Sequence, residues 1–275
     1  MNKTLVFIFV IIILAVGGFF ALKYFNIPVA PIITNKTPIQ LVQKISEKTV
    51  SSKTENKKDN YLINYSYPQF SGIQNQDAEI KINNDLKNYI LNLVSADEKS
   101  AVANCNFSNL PGGAPDWQCE YDLGSSSFDS VEGKILSVKM EYYQFTGGAH
   151  GGSTIEFLNY NLATGEKINW QNVFKKDSNY LQAISDYSKT DLTKQLLSGQ
   201  NQASDKDWIK TGTDPSNKDN YSTNVGFLNE NGGLAIVFAQ YQVAPHSTGM
   251  PEVNIPYAQL KNVLDPAGSL GDFTK

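Results

Sequence analysis

The chain has 275 residues, 41% of them hydrophobic and 11% aromatic, enough to bury a sizeable core in one large domain or two small ones and too apolar for a disordered protein. The formal charge of −4 is unevenly spread: residues 1–22 carry +1, residues 23–59 hold seven Lys against three acids, and residues 60–275 hold fifteen Lys against twenty-four acids, a net −9. An acidic body argues against nucleic acid as its partner, and because all 23 basic residues are lysine, the bidentate guanidinium fork for phosphate or carboxylate is missing.

The stretch "LVFIFVIIILAVGGFFAL" begins at Leu5 and ends at Leu22, eighteen uncharged and nearly all apolar residues that are long enough to cross most of a bilayer's hydrocarbon core. It reads as a membrane anchor. Bulky Phe19 and Phe20 stand where a cleaved signal peptide would need small residues, and no cysteine lies nearby for a lipid anchor. Lys3 and Lys23 nearly cancel the positive-inside rule, so the span alone does not orient the chain. Residues 23–38 follow with Pro28, Pro31 and Pro38, spaced so that no helix persists; they read as an extracytoplasmic stalk. The body is expected to start near Ile39. "IQLVQKISEKTV" and "YLINYSYPQF" read as strands flanking a solvated polar loop, "SSKTENKKDN".

In "DAEIKINNDLKNYILNLV" the positions Ile82, Leu86, Tyr89, Ile90, Leu93 and Val94 fall on one helical stripe, with Asp77 as candidate N-cap. Cys105 and Cys119 then bracket "NFSNLPGGAPDWQ", a span without helical or strand period. As the only two cysteines they are expected to form a disulfide in an oxidising compartment, which would place the body outside the cytoplasm and the residues 1–4 inside; the rival, a metal pair, has poor zinc spacing and no neighbouring histidine. Next comes a half-buried antiparallel strand, with Leu136, Val138, Met140 and Tyr142 alternating against Ser137, Lys139 and Glu141.

The segment "YYQFTGGAHGGSTIEF" carries four glycines within six positions around His150, one of two histidines in the chain. Such glycines permit backbone angles closed to other residues and close approach of another chain. The reading is a strand-connecting turn, with a recognition loop as the functional alternative, its candidate binding residues being Thr146, Gly147, Gly148, His150 and Gly151. Beyond it lie a hairpin turning near Thr164-Gly165, a second amphipathic helix with Leu181, Ile184, Leu192 and Leu196 on one face and Gly199 as its stop, and a hairpin around Asn231-Gly232. "APHSTGMPE" reads as a stiff loop offering His246 and Met250 for binding, and "PEVNIPYAQLKNVL" as a strand running into a short helix. This order argues for an α+β fold, mainly antiparallel sheet with two longer amphipathic helices and a short C-terminal helix.

Neither histidine sits in a nucleophile signature, so no catalytic residue is assigned. A metal site from His150, Glu156 and His246 falls short of a ligand set, and the carboxylate pairs Glu120/Asp122 and Glu141/Glu156 carry no signal beyond an acidic body. No cofactor is expected.

Three blocks, "YLINYSYPQFSG", "YYQFTGGAHGGSTIEFLNYNLATGEKINWQNVF" and "FLNENGGLAIVFAQYQVAPHSTGMPEVNIPYAQL", together resemble the two-part extracytoplasmic module shared by the anti-sigma factor RsiV and the peptidoglycan deacetylase PdaC, over residues 39–264. The resemblance implies an N-terminal part at 39–157, a C-terminal part at 158–275, and a body outside the membrane. Lysozyme recognition belongs to RsiV and a separate wall-modifying domain to PdaC. With only residues 1–4 before the span, no sigma factor is expected as partner; with no metal-binding deacetylase domain before Lys275, deacetylation is not expected either. The expectation is a binding or sensing module for cell-wall glycan or a lysozyme-like protein; the alternative is a peptidoglycan-modifying hydrolase or metal enzyme using His150 and His246.

Overall fold

The computed structural model describes residues 44–107, 116–198, 204–229 and 232–275. The expected anchor at 5–22, the stalk at 23–38, and the Gly199 and Asn231 positions lie outside them; among the described residues no helix is long and apolar enough to cross a membrane. The fold is α+β, as the alternation of periods predicts.

Five strands form the first sheet in the order β1 (Ser46–Asn56), β2 (Tyr61–Ser71), β3 (Cys119–Val131), β4 (Ile135–Phe145), β5 (Gly152–Asn161). All neighbours are antiparallel except β2 and β3, which run parallel because the 29-residue helix α1 (Gln76–Asn104) crosses between them. The polar run expected as a loop is mostly strand: β1 continues to Asn56, paired with Tyr61, and only residues 57–60 turn. A strand at the sheet's edge has one paired neighbour and little buried surface, so it lacks the apolar alternation that marks a central strand.

Helix α1 buries Ile82, Leu86, Ile90 and Val94 against Ile63, Tyr121, Leu136 and Val138 on one face of this sheet. Each fully buried aliphatic side chain contributes about 1.5–3 kcal/mol relative to exposure. Three tyrosine–carboxylate hydrogen bonds lock the same contact: Tyr160 donates to Asp85 (2.7 Å), Tyr89 to Glu156 (2.7 Å) and Tyr142 to Asp97 (3.0 Å). The helix is capped by Asn75 rather than by Asp77; the Asn75 Oδ1 accepts from the Asp77 and Ala78 amides, while its amide group donates to the Ala163 carbonyl. Asp77 thereby sits in the first turn, where its charge complements the helix dipole.

The second sheet holds β6 (Val225–Leu228), β7 (Gly233–Val237) and β8 (Glu252–Pro256), all antiparallel. Helix α2 (Tyr180–Leu197) packs Ile184, Leu192 and Leu196 on it, with Leu181 half-buried; α3 (Lys206–Gly212) and the short α4 (Tyr257–Leu260) complete the core with Ile209, Tyr257 and Leu260. Thr164-Gly165 turns as expected, Gly165 at φ +68°, but the returning arm pairs only through a bridge between Tyr160 and Lys167.

Candidate functional site

Helix α1 covers one face of the five-stranded sheet. On the other face, side chains of the intervening parity emerge: Glu120 and Asp122 from β3, Glu141, Tyr143 and Phe145 from β4, Ser153 from β5. The second sheet covers part of this face. Ser137 accepts from the Phe227 amide (3.0 Å) and donates to Asn159 (2.7 Å), which donates to the Val225 carbonyl (3.0 Å). Lys139 pairs with Glu252 at 2.8 Å, and Phe157 packs on Ala235 and Val237. Ser137, expected on a solvated face, is therefore buried: the alternation was right, but a second sheet occupies the polar side.

Among the described residues, nothing covers the rest of the face. Two depressions, of about 790 and 630 Å³, lie along it and share Tyr143; among the described residues their walls carry the carboxylates of Asp116, Glu120, Asp122 and Glu141 against one lysine, Lys53.

At the boundary between covered and open halves, the two histidine loops meet. His150, on the β4–β5 connection, stacks on His246, on the β7–β8 connection, with ring centroids 3.7 Å apart and planes 26° from parallel. Both rings reach one carbonyl, Gly151 O, at 2.9 Å from His150 Nδ1 and 3.1 Å from His246 Nε2. A carbonyl only accepts, so both of these nitrogens donate to it; on its other side the His150 ring meets the Tyr241 hydroxyl, 3.2 Å from Nε2. Tyr241 holds φ +67°, unusual for a residue with a side chain, and its carbonyl is fixed by the Trp208 indole N–H at 2.8 Å.

The glycines have distinct causes. Gly147 and Gly148 adopt φ +103° and +96°. A Cβ at Gly147 would also lie 2.7 Å from the Trp117 indole, and one at Gly151 would lie 2.5 Å from Tyr143 ring carbons, so the loop backbone seats two aromatic side chains. Gly151 itself needs no positive φ; its constraint is space. Trp117 makes edge contacts with Phe107 and Phe145, at 4.9 and 5.3 Å between centroids.

Of the residues selected from sequence, His150, Gly151 and His246 come together, Gly147 and Gly148 shape their loop, and Thr146 is exposed at its start. Met250 packs, partly buried, against the Phe157, Ala235 and Val237 cluster, next to Pro251, whose carbonyl accepts from the Phe238 amide at 2.8 Å. Glu156 is on the α1 face, held by Tyr89, so the ligand trio considered with the histidines does not form; among the described residues no three His, Cys, Asp or Glu side chains gather as a metal site. Sequence reasoning missed Trp117, Tyr143 and Tyr241. Trp117 carried one signal, an aromatic beside Asp116 two residues before a disulfide cysteine; Tyr241 carried none. Cys105 and Cys119 are bonded, their Cα atoms 6.0 Å apart and both side chains buried.

Residues 54–153 match the family model "Deacetylase PdaC", and residues 171–258 match "Protein of unknown function (DUF3298)". The chain is 28% identical over 131 residues, 48% of its length, to the peptidoglycan-N-acetylmuramic acid deacetylase PdaC of Bacillus subtilis, covering 26% of that protein. It is 25% identical over 154 residues, 54% of its length, to an esterase of Mycobacterium tuberculosis, covering 63% of it. In fold it is similar to crystal structures of DUF3298 family proteins from Pseudomonas aeruginosa (TM-score 0.56, 18% identity, 81% of this chain and 95% of that one) and Bacteroides fragilis (TM-score 0.54, 18% identity, 84% and 98%). His150 lies in the first matched segment and His246 in the second.

Proposed function

Because the chain carries the two-part PdaC and DUF3298 module, we propose that it is an extracytoplasmic binding or sensing module of the bacterial cell envelope, anchored through residues 5–22, that recognises its ligand without transforming it. One observation carries this reading: the face of the first sheet is half covered by the second sheet and half open, and the open half is acidic and bordered by loops from both parts of the module. Of the two ligands the resemblance suggests, the carboxylates of Glu120, Asp122 and Glu141 favour a cationic lysozyme-like protein over the wall polymer, whose own carboxylates such a surface repels.

The names of the two relatives support a second reading, a hydrolase at the histidine pair. Its weakness is chemical. Both imidazoles reach the Gly151 carbonyl and His150 also meets the Tyr241 hydroxyl, while among the described residues neither ring is hydrogen-bonded to a carboxylate that would strengthen it as a base. The separating experiment captures the full chain in nonionic detergent on immobilised lysozyme and on insoluble peptidoglycan, and assays released acetate and ester hydrolysis in parallel. Salt-sensitive capture on lysozyme without product supports the module; turnover lost in His150→Ala would establish the hydrolase instead.

A further inference from the structure

The smaller depression has a composition that the fold does not require. Its floor and walls are Trp117, Tyr143 and Phe145, with the carboxylates of Asp116 and Glu120 beside them. Trp117 is 38% exposed although it belongs to an aromatic row with Phe107 and Phe145. Among the described residues every lysine ion pair is made elsewhere, and neither Asp116 nor Glu120 takes part in one. The wall is also rigidly placed: the Asn60 amide group donates to the Trp117 carbonyl at 3.0 Å, the Cys105–Cys119 bond fixes β3 two residues on, and Gly147 leaves room for the indole.

An exposed indole attracts a cation through the negative face of its ring, and a carboxylate accepts the planar N–H fork of a guanidinium. An ammonium can use either feature, but only a guanidinium stacks flat on the ring while donating sideways. The chain contains no arginine, so the group must come from another molecule. We infer that the Trp117–Asp116–Glu120 depression is a subsite for an arginine side chain of a cationic protein partner. The inference deepens the binding-module reading and rests on it for the partner's class, whereas the subsite chemistry stands on its own residues.

The test uses the full chain in nonionic detergent with its three tryptophans replaced by 5-fluorotryptophan, giving resonances for Trp117, Trp170 and Trp208 that Trp117→Phe assigns. Titration with Nα-acetylarginine amide should move the Trp117 resonance saturably. The isosteric, uncharged Nα-acetylcitrulline amide should bind about tenfold more weakly, as should arginine to the exposed-site variant Asp116→Asn/Glu120→Gln. If citrulline or a neutral N-acetylglucosamine tetrasaccharide moves Trp117 as far at equal concentration, the depression is not a cation subsite. A Trp117 resonance unmoved by arginine while lysozyme still binds overturns the subsite and spares the binding module. A response to arginine without any lysozyme binding keeps the subsite and removes the lysozyme-like partner.

Discussion

The imidazoles of His150 and His246, carried by connections in different sheets, stack at 3.7 Å and converge on the Gly151 carbonyl. That stack joins the two halves of the module at the edge of the acidic face. Both rings are partly or fully solvent-accessible, so His150→Ala or His246→Ala should change stability by no more than about 0.5–1 kcal/mol. Thermal melts check this, and ligand affinity should fall in the same variants; a collapse of the fold would make the pair a structural clasp instead.

Gly151→Ala should destabilise by about 1–3 kcal/mol because the new methyl meets the Tyr143 ring. In a Tyr143→Ala background the penalty should shrink, a coupling measurable by a double-mutant cycle of denaturant midpoints. Gly148→Ala meets no neighbour, and its cost, about 1 kcal/mol, should come from φ +96° alone and remain unchanged in that background.

Replacing Cys105 and Cys119 together by Ser should lower stability by about 3 kcal/mol, the chain-entropy value for a loop of about fifteen residues. It should also broaden the Trp117 fluorine resonance, since the bond fixes the strand just beyond that residue. Equal midpoints for bonded and Ser-substituted protein would mean the bond constrains nothing.

Much of this fold could be read from periodicity. The α1 stripe from Ile82 to Val94, the alternation of Leu136, Val138 and Met140, and the cysteine pair all follow from short-range chemistry. What stayed hidden depends on what packs next to what. Edge strand β1 has no apolar alternation because, among the described residues, most of its side chains are exposed. Ser137 looks like a solvent position until β6 is placed over it. The N-cap went to Asn75, whose amide can both cap α1 and tie it to Ala163, a pairing that needs the distant turn to be known. The site itself was half legible: His150 and His246 stood out as rare residues in stiff or glycine-rich loops, whereas Trp117 and Tyr143 gain their meaning only from strand register.

Burial raises the Asp97 carboxyl above its ordinary value, with the Tyr142 hydroxyl bond opposing this; one of its oxygens has no partner. The folded state therefore holds the proton more tightly than the unfolded chain. The stability Asp97 contributes is fully present below about pH 4 and is lost as pH rises through the raised folded value. Asp97→Asn abolishes that titration, so the difference in melting temperature, variant minus native, should become more positive from pH 4 to pH 7. A difference constant with pH would show that Asp97 titrates alike in both states.

The central claim, that the open half of the sheet face binds a cationic protein, is tested most directly by calorimetric titration of the full chain in nonionic detergent with lysozyme, native against Glu120→Gln/Asp122→Gln/Glu141→Gln. The account predicts saturable binding that weakens about tenfold or more in the triple variant and loses most of its salt dependence. Absence of binding to the native chain, or equal affinity and equal salt dependence in both proteins, would contradict it.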